Sequence, residues 1–340
     1  MRPTRLGVVG LGLIWSRVHQ PHLARLQDVF ELVACCDLST DRRAAIAADF
    51  PQARVVSEYH ELLAMPEVEV VLVLTPIALN ETVALDALRA GKDLLLEKPI
   101  ARSVATGMQI VAAARQAGRR LFVTEQIGYR HADDALLNLL AAGEIGELIM
   151  WDRVQHRVLS TQPEPMNYTS TPWRIQPDFP LGNLFDGGIH LIASVTKLFG
   201  TPASIFAAGS KKFRPGYGPY DQVSMLFRYK DGLTGMLSHS DCLFEAQNHF
   251  HVHGSEGVIS WAPERILIQK PNQPAHSIDL PAENPYTNMW QAIAAAWLAQ
   301  RQPAYTAERA LRDLMVIELV GQSMALGQSV DTITSDLIAS

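Results

Sequence analysis

A short apolar run, Leu6-Gly7-Val8-Val9, ends in Gly10-Leu11-Gly12, and a helix-like pattern follows at once. A brief, continuous apolar run is how a strand buried on both faces is written, and such strands belong to parallel sheets covered by helices. Gly10 allows the tight turn that leaves the strand. Gly12 removes a Cβ where the backbone must approach another group closely. The N–H groups at the start of the next helix, around Leu13 and Ile14, have no partner within the helix and face any negative charge placed before them. Strand, turn and helix N-terminus together predict a cradle for a dinucleotide pyrophosphate. The third glycine of the usual G-x-G-x-x-G is absent, because Trp15 stands in its place. The helix must therefore start differently or sit further from the sheet.

The first 124 residues continue in the same alternation. Strands are expected at Leu6–Val9, Glu31–Cys36, Val68–Leu74, Asp93–Leu96 and Arg120–Val123, with helices at Ser16–Gln27, Thr40–Asp49, Glu58–Ala64, Asn80–Ala90 and Val104–Ala117. Gly91 and Gly118 read as C-terminal caps. The alternation predicts a Rossmann-type, doubly wound parallel sheet over residues 1–124. From 125 to 340 the pattern is α+β. A helix (Asp133–Ala142) and a strand (Leu148–Val158) precede a Pro-, Thr- and Ser-rich loop over 159–182. A helix at Gly188–Phe199, mostly strands from Ala203 to Leu280, and helices at Pro285–Gln300 and Ala307–Leu326 follow. This half should hold a large, mostly antiparallel open sheet.

Composition excludes several classes. The net charge of −6 offers no basic face for a nucleic acid. No apolar run is long enough to span a bilayer. Three cysteines, two of them adjacent at Cys35 and Cys36, form no disulfide framework and fit a reducing cytoplasm. Arg2 and Arg5 before Leu6–Trp15 resemble the start of a signal peptide, but polar Ser16-Arg17 follows and no small-residue cleavage site does.

Chemistry-bearing residues fall where such a fold binds ligands. Asp37 ends the second strand, where an acidic side chain can accept from both adenosine ribose hydroxyls and repel a 2′-phosphate, favouring NAD over NADP. Arg42 and Arg43 follow and could hold that phosphate, so NADP stays open. Thr75-Pro76 and Glu97-Lys98-Pro99 fall at the ends of the next two core strands. The Lys98 ammonium could polarise a hydroxyl or carbonyl beside the cofactor. Asp186 and His190 lie four apart at the start of an expected helix and would share one face. The histidine would be a general base titrating near neutrality. Each has a structural alternative: Asp37 as a cap for the helix at Thr40, Lys98 paired with Glu97 or Glu125, and Asp186 as a cap beside a packed histidine.

Taken in order, Gly10-x-Gly12, Asp37, Thr75-Pro76, Glu97-Lys98-Pro99, Gly143-Glu144-Ile145-Gly146, Asp186-x-x-x-His190 and Gly254-Ser255-Glu256-Gly257 resemble the glucose–fructose oxidoreductase / inositol dehydrogenase (Gfo/Idh/MocA) family over nearly the whole chain. The resemblance implies an NAD(P)-dependent enzyme acting on a sugar, polyol or related carbinol. Lys98 would be the catalytic lysine, Asp186 the substrate-holding carboxylate and His190 the acid/base. The Lys98–Pro99 bond would be cis, as it often is in the family. Asn80 stands where many members carry histidine after Thr-Pro, and is counted with Glu97 and Lys98 among the cofactor contacts. Tyr129-Arg130-His131 resembles a variable segment of the family, so Tyr129 and Arg130 are substrate-binding candidates. Two other readings remain beside the dehydrogenase: an NAD-dependent glycosidase acting through transient oxidation, and a cofactor-sensing regulator without turnover.

Further features point less directly. Trp173-Arg174 could wall a substrate pocket or anchor the long loop. His249, His251 and His253 alternate and face one side of a strand, yet no Cys or carboxylate with supporting spacing accompanies them, and no metal is expected. The open sheet is expected to be covered by another subunit of a homodimer or homotetramer, through Val223, Met225, Phe227 and Met236.

Overall fold

The computed structural model describes residues 2–160, 167–212 and 216–332. The chain divides into two compact units, one of residues 1–129 with 285–314 and one of 130–284 with 315–340.

The first unit is built on a sheet of β1 (Thr4–Val9), β2 (Phe30–Cys36), β3 (Arg54–Val56), β4 (Val70–Val73), β5 (Asp93–Glu97) and β6 (Leu121–Thr124), in the order β3-β2-β1-β4-β5-β6. Every pairing is parallel. The order reverses between β1 and β4, and ligands of such sheets bind at the carboxyl ends beside that switch. All four residues of β4 are buried, which is why it reads as an unbroken apolar run. Two helices start and stop where their caps place them. Ser39 accepts from the Arg42 N–H at the head of Thr40–Asp49, and Ser103 accepts from the Thr106 N–H at the head of Val104–Ala117, which ends at Gly118 with φ +61°. The edge strand β3 has no counterpart in the sequence expectation, because three residues cannot display a periodicity. The helix Pro285–Leu298 also belongs to this unit, although it follows all the strands of the second half. Its Trp297 ring lies 5.3 Å from Phe30 and 5.4 Å from Phe122, and its indole N–H donates to Thr4 Oγ1 at 2.9 Å.

The second unit holds, among the described residues, a nine-stranded sheet. Its strands are β7 (Leu148–Val158), β8 (Ser204–Ser210), β9 (Gln222–Arg228), β10 (Thr234–Ser240), β11 (Cys242–Gly254), β12 (Gly257–Ala262), β13 (Arg265–Gln269), β14 (His276–Asp279) and β15 (Val330–Asp331). The order is β14-β13-β12-β11-β7-β10-β9-β8-β15. The pairing of β7 with β10 is parallel and the others are antiparallel.

Side-chain alternation decides the two faces of this sheet, and it corrects the interface expectation. Val223, Met225 and Phe227 point inward and are buried by their own chain. The inner face closes around Trp151, which stacks on Phe199 of the helix Ile189–Phe199 with ring centroids 5.4 Å apart. Gly235 makes room for that indole, since a Cβ there would lie 2.0 Å from it. Ser224, Leu226 and Arg228 of β9 point outward. Phe206, Leu226 and Met236 are register neighbours on that outer face, with Leu226 53% exposed. Of the expected interface residues only Met236 is there. Apolar character identifies strand residues, but a one-residue change of parity exchanges the faces.

Candidate active site

The glycine turn fits a dinucleotide. Gly10 has φ +98°, and a Cβ there would meet the Leu74 carbonyl oxygen at 2.7 Å, so backbone conformation and strand contact both demand glycine. Gly12 is open: the nearest atom to a Cβ there is Arg42 Nη1 at 3.9 Å. A phosphate can therefore approach the backbone at Gly12. The helix that follows accommodates Trp15 by a change of pitch. Residues Trp15–His19 form a π-helical segment leading into Gln20–Leu23, with the Gln20 N–H donating to the Trp15 carbonyl. The Trp15 side chain is buried and lines one cavity together with Leu6, Leu23, Phe30 and Phe50. Leu13 and Ile14 remain half-buried at the head of the helix.

Asp37 is tied to the same turn. Its Oδ2 accepts from the Leu11 N–H at 2.8 Å and faces Arg42 Nη1 at 3.4 Å, while Oδ1 accepts from the Ser39 N–H at 2.8 Å. Ser39, not Asp37, caps the helix at Thr40. Arg43 donates to the carbonyls of Asp37 and Leu38, both at 2.8 Å. Thus both arginines that could hold a 2′-phosphate are engaged by the Asp37 turn.

The carboxyl ends of β4, β5 and β6 form a linked polar rim. Thr75 Oγ1 donates to Asn80 Oδ1 at 2.8 Å, and Asn80 Nδ2 reaches the Glu97 carbonyl at 3.3 Å. Pro76 precedes the helix Ile77–Arg89, which starts three residues earlier than its periodicity suggests. The buried Glu97 carboxylate accepts from Thr124 Oγ1 at 2.6 Å and lies 3.2 Å from His19 Nε2. Lys98 follows, half-buried, with a cis bond to Pro99. His19 and Thr124 are members of the rim that the sequence did not mark. The π-helical segment brings His19 here, and no spacing rule announces such a segment.

In the second unit, Asp186 and His190 do not share one helix. Asp186 ends the short helix Asn183–Asp186, Gly187-Gly188 break the chain, and His190 lies in the first turn of Ile189–Phe199. A Cβ on Gly188 would lie 2.3 Å from the Leu184 carbonyl, so the break needs glycine. The N-cap position of this second helix is held by Gly188, not by Asp186. Its buried carboxylate instead accepts from Arg174 Nε at 2.6 Å. The Arg174 guanidinium lies 3.9 Å over the Trp173 ring. Trp173 contacts Phe179 edge-on at 6.0 Å, and Phe179 lies 5.9 Å from Phe185. The aromatic series fastens this part of the expected loop, whose described portion contains the helix Pro172–Ile175. Residues 161–166 of that loop lie outside the described residues. Arg157 Nε donates to Asp241 Oδ1 at 2.8 Å, and Asn183 and His239 also contact the Asp241 carboxylate.

The two remaining substrate-binding candidates are occupied by packing. Tyr129 is buried, its hydroxyl accepts from the Tyr305 N–H at 3.4 Å, and burial pushes its pKa up to about 12. Arg130 lies against Asp133 at 3.5 Å and over Trp261 at 5.2 Å. Asp133 in turn accepts from Ser194, which accepts from the buried Arg153. Among the described residues no helix is long and apolar enough to cross a membrane.

Comparison with known proteins agrees with both units. Residues 4–125 match the oxidoreductase family with an NAD-binding Rossmann fold, Gfo/Idh/MocA, and residues 134–260 match the Gfo/Idh/MocA C-terminal domain. The chain is 31% identical over 278 residues to the trans-1,2-dihydrobenzene-1,2-diol dehydrogenase of Bos taurus, covering 78% of this chain and 77% of that one. It is 28% identical to the 1,5-anhydro-D-fructose reductase of Ensifer adhaerens, covering 88% and 91%. A crystal structure of an oxidoreductase from Thermotoga maritima superposes with a TM-score of 0.89 at 26% identity, over 97% of this chain and 98% of that one. With a glycine turn that fits a dinucleotide and both sequence domains matched, this chain belongs to the Gfo/Idh/MocA family of NAD(P)-dependent oxidoreductases.

Proposed function

We propose that the protein interconverts a carbinol and a carbonyl on a sugar, polyol or related ring compound, with Lys98, His190 and Asp186 as the catalytic residues. The carrying observation is the placement of Lys98 at the carboxyl end of β5, on the sheet whose β1 ends in the open glycine turn. Bound NAD supplies the hydride acceptor. The Lys98 ammonium donates a hydrogen bond to the reacting oxygen and stabilises its developing negative charge. His190 takes the hydroxyl proton on an imidazole nitrogen. Asp186, oriented by Arg174, accepts from a neighbouring hydroxyl of the substrate. The names of the bovine and Ensifer relatives, a ring diol and a fructose derivative, support that substrate class. Gly10, Gly12, Leu13, Ile14, Asp37, Thr75, Pro76, Asn80 and Glu97 are the proposed cofactor contacts, and Asp37 makes NAD the preferred form.

A panel of sugars, inositols and ring diols, followed by NADH absorbance, tests the activity. Lys98→Met and His190→Ala should each lower turnover by about 10²–10⁴ while NAD still binds by calorimetry. His190→Ala should also lose the acid limb of the pH–rate profile in the oxidation direction. NAD binding with no turnover on any substrate would favour the sensor reading instead.

Two further assignments belong to the same reading. The buried, unpaired thiols of Cys35, Cys36 and Cys242 suit a cytoplasmic protein. The outward row Phe206, Leu226 and Met236 suits a homodimer or homotetramer that buries this face.

A further inference from the structure

The outer face of the second sheet carries a histidine cluster that hydride transfer does not use. Asp152 of β7 and His251 of β11 are direct register partners, and His249 and His253 flank His251 on the same face. The carboxylate absent from the histidines' own segment thus comes from the neighbouring strand. Asp152 Oδ2 lies 3.3 Å from His251 Nδ1 and 3.4 Å from His249 Nε2, and Oδ1 lies 3.1 Å from His253 Nε2. We propose that Asp152, His249 and His251 bind a divalent cation of the zinc class, with His253 steadying the carboxylate.

Geometry and chemistry agree on this. Charge-assisted N–H···O bonds usually span about 2.7–2.9 Å, so both contacts to Oδ2 are long for such bonds. In a tetrahedral site with bonds of about 2.0–2.1 Å, ligand atoms stand about 3.3–3.4 Å apart. The two contacts match that edge. All three candidate ligand atoms lie within 4.8 Å of one another. Imidazole nitrogens and a carboxylate oxygen are ligands that zinc-class cations take. In the single chain the side chains of His249 and His251 are 39% and 35% exposed, which leaves the fourth position to water or to a donor from the second copy proposed to cover this face. His253 holds the other carboxylate oxygen and leaves Oδ2 to the metal, as outer partners do around known sites.

Equilibrium dialysis of the chelator-washed full chain against Zn²⁺ tests the proposal. One Zn²⁺ per chain is expected. The D152N/H251Q double variant should weaken binding by more than about 100-fold, and His253→Gln by about 10–100-fold. His276→Gln, on exposed β14, should change nothing. Co²⁺ in place of Zn²⁺ should give the strong visible bands of a four-coordinate site without a thiolate charge-transfer band, which excludes the cysteines. This spectrum needs no variant, so the test survives a double variant that fails to fold. No stoichiometric uptake, uptake unchanged in the folded double variant, or only the weak spectrum of six-coordinate Co²⁺ would each overturn the proposal.

Discussion

Asp37 makes two separable contributions, and its replacement should reveal both. Its carboxylate is the acceptor for the Leu11 N–H and the Ser39 N–H, each at 2.8 Å, and Leu11 is buried. Asp37→Ala removes the side-chain acceptor of the Leu11 N–H. An unsatisfied buried donor costs about 1–3 kcal/mol, so unfolding free energy of the cofactor-free protein should fall by about that much in urea. The second contribution appears on titration with cofactor. A hydrogen bond to a charged acceptor is worth about 1.5–3 kcal/mol, so losing one ribose contact should weaken NAD by roughly 10–150-fold. The same change removes the charge opposing a 2′-phosphate and frees Arg42, now 3.4 Å from the carboxylate. NADP should therefore gain while NAD loses. Asp37→Asn separates the effects: it retains one acceptor oxygen for the turn, so stability falls less, but the charge is gone and the preference still narrows. Calorimetry with NAD and NADP on all three proteins, beside urea unfolding, reads both quantities. Equal affinities in the unmodified protein, or an Asp37→Ala protein with parental stability and an unchanged NAD:NADP ratio, would refute the reasoning.

Arg174→Met should leave the buried Asp186 carboxylate without its 2.6 Å partner. A loss of about 1–3 kcal/mol in urea unfolding is expected, because the pair is largely but not fully buried, together with a higher KM; parental stability and KM would show that the contact is dispensable. Burial raises the Asp241 pKa, but the His239 and Arg157 contacts outweigh it and hold the carboxyl well below the usual carboxylate range. A folded-state pKa below the unfolded value of about 3.9 stabilises the protein at neutral pH, and that stabilisation is lost as pH falls from there through the folded value. Asp241→Asn should therefore be less stable at pH 7 and lose stability less steeply below pH ~4 in urea melts; parallel pH curves would contradict this. Leu226→Glu on the outer face should shift sedimentation from oligomer to monomer with folding retained, whereas Val223→Glu on the inner face should cost about 3 kcal/mol or more of stability. A parent that sediments as a monomer at micromolar concentration would remove the basis for an interface.

Local signals in the sequence carried the first unit and the order of its parts. The strand-turn-helix at Gly10 and Gly12 was legible because steric demand for glycine is a one-residue property. Buried parallel strands such as β4 were legible because continuous apolarity follows from burial on both faces. The helices Thr40–Asp49 and Val104–Ala117 were legible to the residue, through caps that act within three residues of the helix end. Tertiary structure decided whatever depends on a distant partner. It placed Pro285–Leu298 on the first sheet, because Trp297 packs against Phe30 and Phe122 far earlier in the chain. It turned Arg130 onto Asp133 and Trp261, gave Asp186 to Arg174, and brought Asp152 from another strand to His249 and His251. It also sent Val223, Met225 and Phe227 inward and left Leu226 outside. An alternating strand states that it has two faces, but only the layer packed against it says which one meets the core.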